Sequence, residues 1–165
     1  MNPVVRRIRP DEVGRLRALR LRGLADAPYA FGSTLAKESA FADAVWVERA
    51  ARSAAGEDKV TYVAEDGDRW VGLVTGSLEV EDGRFHLFGM FVEPDARGRG
   101  VGAALVEAVI GWARGHGATR LYLGVTATND AALRLYERCG FRPTGTRRPL
   151  EHTPILTEIE MVREV

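Results

Sequence analysis

The strongest constraint on the fold is a run of alternating glycines that joins a strand to a helix. The strand pattern Phe85–Val92 ends in a turn, and the glycines of Gly98–Gly102 then lead directly into a helical pattern that continues to about Gly115. Glycine tolerates positive φ and lets the backbone approach an anion closely, and a helix N-terminus attracts negative charge. Because glycine weakens a helix start, a ligand is the simplest reason for it here. We therefore predict a phosphate-binding loop. Its residues are Arg97, Gly98, Arg99, Gly100, Val101 and Gly102.

The same loop also fits a dinucleotide-binding fingerprint. Gly98–Ala103 satisfies G-x-G-x-x-G/A, which expects an acidic residue about twenty positions further on, at the end of the next strand. That strand ends Leu123–Thr126 without an acidic residue, and three strands that look antiparallel precede the loop. A nicotinamide-dependent oxidoreductase is therefore the weaker interpretation. No glycine is followed by Lys and Ser/Thr, so the sequence contains no P-loop.

Periodicity and turn residues predict an α/β (α+β) fold with a mixed, mostly antiparallel sheet of about seven strands and about four flanking helices. We expect one domain over residues 1–165. The predicted strands are Val4–Arg9, Val60–Glu65, Trp70–Val80, Phe85–Val92, Leu121–Thr126, Phe141–Thr146 and Leu156–Arg163. The predicted helices are one capped by Asp11, then Asp43–Ala54, Gly100–Gly115, and one from the N-cap Asn129 to Cys139.

Composition excludes several classes of function. Basic and acidic residues balance at 23 each, so no net charge draws the chain to nucleic acid or to a membrane surface. His86, His116 and His152 lack metal-ligand spacing, and we expect no metal. The single Cys139 excludes an internal disulfide. With no signal-peptide core and no run of membrane-spanning length, we expect a reducing cytoplasm.

Two motifs resemble the GCN5-related N-acetyltransferase (GNAT) superfamily. Arg97–Gly102 matches the acetyl-CoA signature R/Q-x-x-G-x-G/A, and Asn129–Phe141 fits N-x-x-A-x-x-L-Y-x-x-x-G-F. Val92–Pro94 is similar to the end of the family's fourth strand, so the resemblance covers roughly residues 85–146. It implies a GNAT-like domain that transfers acetyl directly from acetyl-CoA, as cosubstrate, to a primary amine of an unidentified small molecule or peptide.

The resemblance also implies which residues bind the cofactor. Backbone groups of Met90, Phe91 and Val92 would bond the pantetheine arm where the fourth strand separates from the fifth. One of these amides would stabilise the negative oxygen that develops on the thioester carbonyl. Arg97–Gly102 would hold the pyrophosphate, and Asn129 would hydrogen-bond the arm.

Tyr136 would contact the cofactor and act as the general acid that protonates the departing thiolate. A phenol of pKa about 10 has suitable basicity for that transfer if it lies within hydrogen-bond reach. Spacing alone favours another interpretation, a core aromatic residue beside Leu133 and Cys139. The family motif favours the general acid.

The sequence leaves several residues open as the general base. One branch of the family uses a strand-five Glu, and this chain has Gly124 at that position. Another branch uses a Glu at the start of strand four, where this chain has His86, and an imidazole of pKa about 6.5 suits the role. Glu79 or Glu81 could act through a water instead. Each has a simpler alternative: a solvent-facing histidine, or polar residues of a hairpin.

The acceptor side carries weaker signals. Residues 31–34 occupy the position of the family's substrate-flanking loop, so Tyr29, Phe31 and Glu38 are candidates to line the acceptor site, with a simple connection as the alternative. Residues 147–154 are expected to form an exposed loop before the final strand, and this loop could also border the acceptor site. Glu158 and Glu160 alternate with apolar residues and are expected on the solvent face of a strand.

A second class of function remains open, a non-catalytic acyl-CoA-binding or sensing domain that keeps the glycine loop without an acceptor site. A homodimer is also left open by the sequence.

Overall fold

The computed structural model describes residues 2–165, which form seven strands, five α-helices and one short 3-10 helix, Pro94–Ala96. The strands are β1 Val4–Arg7, β2 Lys59–Asp66, β3 Arg69–Leu78, β4 Phe85–Val92, β5 Arg120–Thr126, β6 Arg142–Leu150 and β7 Thr153–Glu164. The helices are α1 Val13–Asp26, α2 Leu35–Ser39, α3 Asp43–Ala55, α4 Val101–Gly115 and α5 Asp130–Arg138.

All the strands join one sheet in the order β1-β2-β3-β4-β5-β7-β6. Neighbouring strands are antiparallel except β4 and β5, which run parallel with the α4 crossover between them. The fold class predicted from the sequence is confirmed.

Helix α4 forms the main core on one face of the sheet. Its apolar stripe, which includes Leu105, Val109 and Ile110, is fully buried and packs with Leu121 and Leu123 of β5. Burial of each such side chain contributes roughly 1.5–3 kcal/mol. This packing fixes the N-terminus of α4, and therefore the glycine loop, against the middle of the sheet.

A second core lies on the opposite face. Leu16 and Leu19 of α1 and Ala50 of α3 pack against Val63 of β2 and Leu73 of β3. On the β5 and β7 part of this face the side chains are polar, and they line a cavity. The polar part of the sheet therefore lies beside a well-packed part that can hold it rigid.

The parallel strands β4 and β5 pair at only three positions, of which the last is Leu87 with Leu123. Beyond it β4 continues on β3, while β5 continues on β7. A bulge marks the divergence, where Gly89 adopts a φ of 64°. We call the gap beyond Leu87 and Leu123 the fork.

Three local expectations were wrong. The chain forms an additional short helix, α2, which Thr34 caps by accepting a hydrogen bond from the Lys37 N–H. Helix α1 begins at Val13 with Glu12, not Asp11, as its N-cap, and the Glu12 carboxylate accepts from the backbone N–H of Arg9 at 2.8 Å and from the Arg6 guanidinium at 2.7 and 2.8 Å. Residues 147–154 are not a loop, since β6 and β7 extend through them as a hairpin.

Among residues 2–165, no helix is both long and apolar enough to span a bilayer.

Candidate active site

Two cavities meet at the fork. The loop cavity, of about 700 Å³, is lined by the glycine loop, and the sheet cavity, of about 530 Å³, lies over the polar face of β4, β5 and β7. Phe31, Met90, Asn129 and Leu135 are among the residues that line both. The predicted cofactor residues on the loop cavity are Met90, Phe91, Val92, Arg97, Gly98, Gly100, Val101, Gly102 and Asn129.

The glycine loop has the backbone geometry that an anion site requires. Gly98 and Gly100 have φ of 75° and 80°, and no atom lies within 4 Å of where a Cβ would stand on either. Gly100 is the N-cap of α4 and offers no side chain to the N–H groups of the first turn. Gly102 differs, because its Cβ would lie 2.9 Å from Leu135 Cδ2. Its missing side chain makes room for α5.

The two arginines of the loop differ in position. Arg97 lines the loop cavity, where its Nε donates to the Val92 carbonyl at 2.9 Å and its Nη2 contacts Asp26 at 2.9 Å. Arg99 forms an ion pair with Asp66 at 3.2 Å and does not line this cavity. The structure thus brings Arg97, and not Arg99, to the predicted phosphate site.

At the fork, some backbone groups of β4 are hydrogen-bonded to β3 and others point into the gap. The Glu93 N–H donates to the Val71 carbonyl of β3 at 2.8 Å, so the backbone groups of Phe91, two residues earlier in the ladder, also face β3. Because the backbone N–H and C=O groups of successive strand residues point to opposite sides, the backbone groups of Met90 and Val92 point toward the fork. The expectation for Phe91 therefore needs correction, since its backbone is engaged within the sheet.

Helix α5 contributes polar groups at both ends. The Asn129 Oδ1 accepts from the Ala132 N–H at 3.2 Å and caps the helix, which leaves its Nδ2 group for a ligand. At the other end Arg138 and Cys139 line the loop cavity. Burial, and then the Glu107 carboxylate, raise the pKa of the half-buried Cys139 thiol. Arg138 was missed by the sequence analysis, although it follows Leu135 by one turn.

Tyr136 is buried, and its ring packs edge-on against Phe141 at 5.9 Å between centroids. It lines the sheet cavity, and within residues 2–165 its hydroxyl has no hydrogen-bond partner. Burial, and to a smaller extent Cys139, raise the pKa of the phenol, which therefore stays protonated near neutral pH. A proton donor thus stands beside the fork.

The structure places two of the three candidate bases on the sheet cavity and the third outside it. His86 lines the sheet cavity, and its Nε2 lies 3.0 Å from Asp82 Oδ2. Glu79 lines it too and accepts from the Ser77 hydroxyl at 2.6 Å. Glu81 lies in the exposed hairpin turn and is not among the residues that line the cavity.

A buried ion cluster forms one wall of the sheet cavity. Glu38 is 1% exposed and bonds Arg20 at 3.0 and 3.1 Å and Arg49 at 2.8 Å. Burial opposes ionisation, but these arginines outweigh it and lower the pKa of the Glu38 carboxyl to about 2. Phe31 also lines the cavity, whereas Tyr29 is exposed outside it.

The expectation for Glu158 and Glu160 was wrong, since both line the sheet cavity. Glu160 is buried, and it accepts from the Thr144 hydroxyl at 2.9 Å and from Arg148 at 3.2 Å. The β6 strand covers this part of β7, which alternation along β7 alone could not reveal. Gly124 on the neighbouring strand was the available signal, because a glycine within a strand often marks a close approach.

Among residues 2–165, no group of three or more His, Cys, Asp or Glu residues could hold a metal ion.

The fold is shared with solved acetyltransferases. A putative acetyltransferase from Salmonella typhimurium, solved with its cofactor acetyl-CoA, superposes with a TM-score of 0.81 at 17% identity, over 99% of this chain and 94% of that one. At this identity the likeness concerns the fold alone.

Sequence relatives are N-acetyltransferases. An N-acetyltransferase of Streptomyces griseus is 49% identical over 57 residues, 34% of this chain and 29% of that protein. Human N-acetyltransferase 8 is 36% identical over 89 residues, 51% of this chain and 39% of that protein. The chain thus spans well under half the length of these relatives.

The model of the Acetyltransferase (GNAT) family matches residues 24–141, more than half of the chain. The chain belongs to this family.

Proposed function

We propose that the protein is an acetyl-CoA-dependent N-acetyltransferase whose acceptor is a primary amine of a small molecule or peptide. The observation that carries the proposal is the meeting of two cavities at the fork, one lined by the glycine loop and the other by ionisable side chains. A donor bound in the loop cavity and an acceptor bound in the sheet cavity would meet beside Met90 and Asn129.

The loop cavity fits a phosphate-bearing cosubstrate. The open space at Gly98 and Gly100 and the uncapped N–H groups at the start of α4 suit a pyrophosphate, and Arg97 and Arg138 add positive charge. We propose that Arg97–Gly102 holds it, with Arg138 as an additional contact and with Arg99 supplying charge from outside the cavity. The bound acetyl-CoA of the Salmonella typhimurium structure supports this choice.

We propose these roles around the fork. Acetyl-CoA supplies the activated acetyl thioester. A backbone N–H of Met90 or Val92 stabilises the negative oxygen that develops during attack. Asn129 Nδ2 orients the donor, and Tyr136 protonates the departing thiolate from a desolvated position. His86, or Glu79 or Glu81 through a water, remain candidates for the base, and the lining of the sheet cavity supports the first two.

A thermal-shift titration tests cofactor choice without knowledge of the acceptor. At 100 times its Kd, a ligand that binds only the folded state adds about 2.7 kcal/mol. For a chain of this size that raises Tm by roughly 5–10 °C. We expect this from CoA and acetyl-CoA, and little change from NADPH. The reverse ranking would favour the dinucleotide-binding class.

A thiol-release assay separates an enzyme from a non-catalytic acyl-CoA sensor. Acetyl-CoA is mixed with glycinamide, spermidine, kanamycin or the dipeptide Ala-Ala, and free CoA is measured. Turnover above the enzyme-free rate with at least one amine is the expected result. CoA binding without turnover across the panel would favour the sensor.

We further propose that residues 1–165 act as one domain, in the cytoplasm, on an amine acceptor. A homodimer stays open, and sedimentation equilibrium would decide it.

A further inference from the structure

A carboxylate from β7 occupies the space beside β5 that a side chain at Gly124 would need. Gly124 follows Leu123, so it is the first β5 residue inside the fork. An ideal Cβ on Gly124 would lie 2.6 Å from Glu158 Cδ and closer still to its Oε1. Only glycine allows Glu158 to reach across β5 in this way.

The Glu158 carboxylate has fewer partners within the protein than the carboxylate of Glu160, the next residue on the same face of β7. Glu160 accepts hydrogen bonds from Thr144 and from Arg148. Within residues 2–165, Glu158 has one ion-pair partner, the Nε of the same Arg148 at 3.5 Å, and its side chain is 25% exposed. Since an ionised carboxylate offers about four acceptor positions, Glu158 keeps some of them for a ligand.

We propose that Glu158 binds the ammonium group of the acceptor and takes its proton. The inference rests on the proposed acetyltransferase function and deepens it. The position of Glu158 supports this role, because it lines the sheet cavity together with Met90 and Tyr136. Gly124 is then a positioning residue, since its missing side chain lets the carboxylate reach the fork.

The proton and bond balance is complete with these groups. One N–H bond of the ammonium breaks, and its proton goes to the Glu158 carboxylate. The freed nitrogen lone pair forms a bond to the thioester carbonyl carbon. After attack the nitrogen still carries two protons, so it loses the second one as the C–S bond breaks. The thiolate takes the proton of the Tyr136 hydroxyl, and the Tyr136 phenolate is reprotonated by that second proton from the nitrogen, directly or through water. Glu158 releases its proton to solvent, so each turnover liberates one proton.

The test measures kcat/KM against pH, using the panel amine that gives the fastest thiol release. In the wild type the ammonium form reacts, so the rate is expected to change little as pH approaches the pKa of the amine. Loss of a general base lowers the rate by about 10²–10⁴-fold. We expect a loss in this range for Glu158→Gln near pH 7, shrinking as pH rises and free amine accumulates. A purely structural defect would not recover with pH.

Gly124→Ala tests the position of the carboxylate with its chemistry unchanged. The added methyl group displaces Glu158, so we expect a loss of at least tenfold in kcat/KM with unchanged CoA affinity and Tm. Both changes remove the same interaction, the one between the Glu158 carboxylate and the acceptor. The Gly124→Ala/Glu158→Gln double variant should therefore be no slower than Glu158→Gln alone. Glu164→Gln, further along β7 with a side chain that is 68% exposed, is the matched control and should keep wild-type kinetics.

Three outcomes would overturn the inference: a Glu158→Gln loss that is the same at every pH, additive losses in the double variant, or the same pH signature in Glu160→Gln but not in Glu158→Gln. Failure of the underlying function looks different. Wild-type protein that binds CoA but turns over none of the four amines would overturn the acetyltransferase proposal, and this inference with it.

Discussion

The loop cavity and the sheet cavity share the fork but are built in different ways. The phosphate end of the loop cavity depends on the backbone of one continuous segment, residues 97–102. The end of α1, residues 90–92 of β4 and one face of α5 line the rest of that cavity. The ionisable side chains of the sheet cavity come from α1, α2, α3 and several strands, so residues as distant as Arg20 and Glu160 meet there. A site made by the backbone tolerates change in most side chains, whereas a site made by side chains from many elements can alter its specificity through single substitutions.

Tyr136 lines the sheet cavity next to Leu135, which lines both cavities, and substitution of Tyr136 should have the largest effect. Tyr136→Phe keeps the ring against Phe141 and removes the proton donor. We expect kcat to fall by about 10²–10⁴-fold with CoA affinity unchanged, as measured by steady-state kinetics and calorimetry. Near-normal turnover, under conditions where chemistry limits the rate, would return Tyr136 to a packing role.

Gly100→Val should damage the loop cavity alone. The φ of 80° at this position costs an L-residue roughly 1–3 kcal/mol, which corresponds to about 5–150-fold in CoA affinity if the loop relaxes. Gly111→Val is the matched control, because Gly111 lies on α4 with open space around it and without positive φ. Calorimetry should show weaker CoA binding for Gly100→Val only. Equal affinities in folded variants would contradict the predicted phosphate site.

We expect substitution of Glu38 to lower the stability of the protein around the sheet cavity and to leave CoA binding in the loop cavity unchanged. Its folded pKa of about 2 lies below the ordinary value of 4.5, so its contribution to stability is present above pH 4.5 and is lost as the pH falls toward 2. Glu38→Gln leaves Arg20 and Arg49 without their shared carboxylate. We expect a destabilisation of about 3 kcal/mol, or roughly 6–12 °C in Tm at pH 7, and a Tm that falls less steeply as the pH is lowered.

The exposed Glu48 on α3 provides a control for this change. Glu48→Gln should leave the Tm and its pH dependence unchanged. CoA affinity, measured well below the melting temperature, should be normal in both variants. A Glu38→Gln protein with weakened CoA binding would show that the two cavities are coupled.

The smallest effects are expected at His86 and Glu79. The His86 imidazole lies 3.0 Å from the Asp82 carboxylate, and the Glu79 carboxylate accepts from Ser77, so each already has a partner within the protein. If Glu158 takes the proton, His86→Gln and Glu79→Gln should change kcat/KM by only about threefold and keep the shape of the pH profile. Loss of a pH limb in either variant would assign the base to that residue.

The sequence predicted the parts of the molecule that depend on local patterns. The order of strands and helices followed from periodicity, and the glycine loop followed from residues that are contiguous in the chain. The sheet cavity could not be predicted in the same way, because its geometry depends on which strands become neighbours. Glu158 and Glu160 looked solvent-facing on β7 alone, and only the pairing of β7 with β5 and β6 explains why they line a cavity.

Local sequence patterns also failed to distinguish the roles of two glycines within the loop. Alternation suggested that Gly100 and Gly102 serve one purpose. In the structure Gly100 has open space around it, while Gly102 lies against the Leu135 side chain of α5. The difference arises from tertiary packing between two helices that are separated by a strand, which local sequence patterns do not encode.

The environment of Cys139 bears on how the protein tolerates oxidation. This thiol lines the loop cavity, where a transferase would release free CoA thiol in every turnover. A mixed disulfide would form when the Cys139 thiolate attacks the S–S bond of an oxidised CoA disulfide and expels one CoA thiolate. The raised pKa of Cys139 keeps its thiolate fraction at neutral pH below that of an ordinary cysteine. The protein should therefore resist forming a mixed disulfide with CoA, even though the two sulfurs would share one cavity.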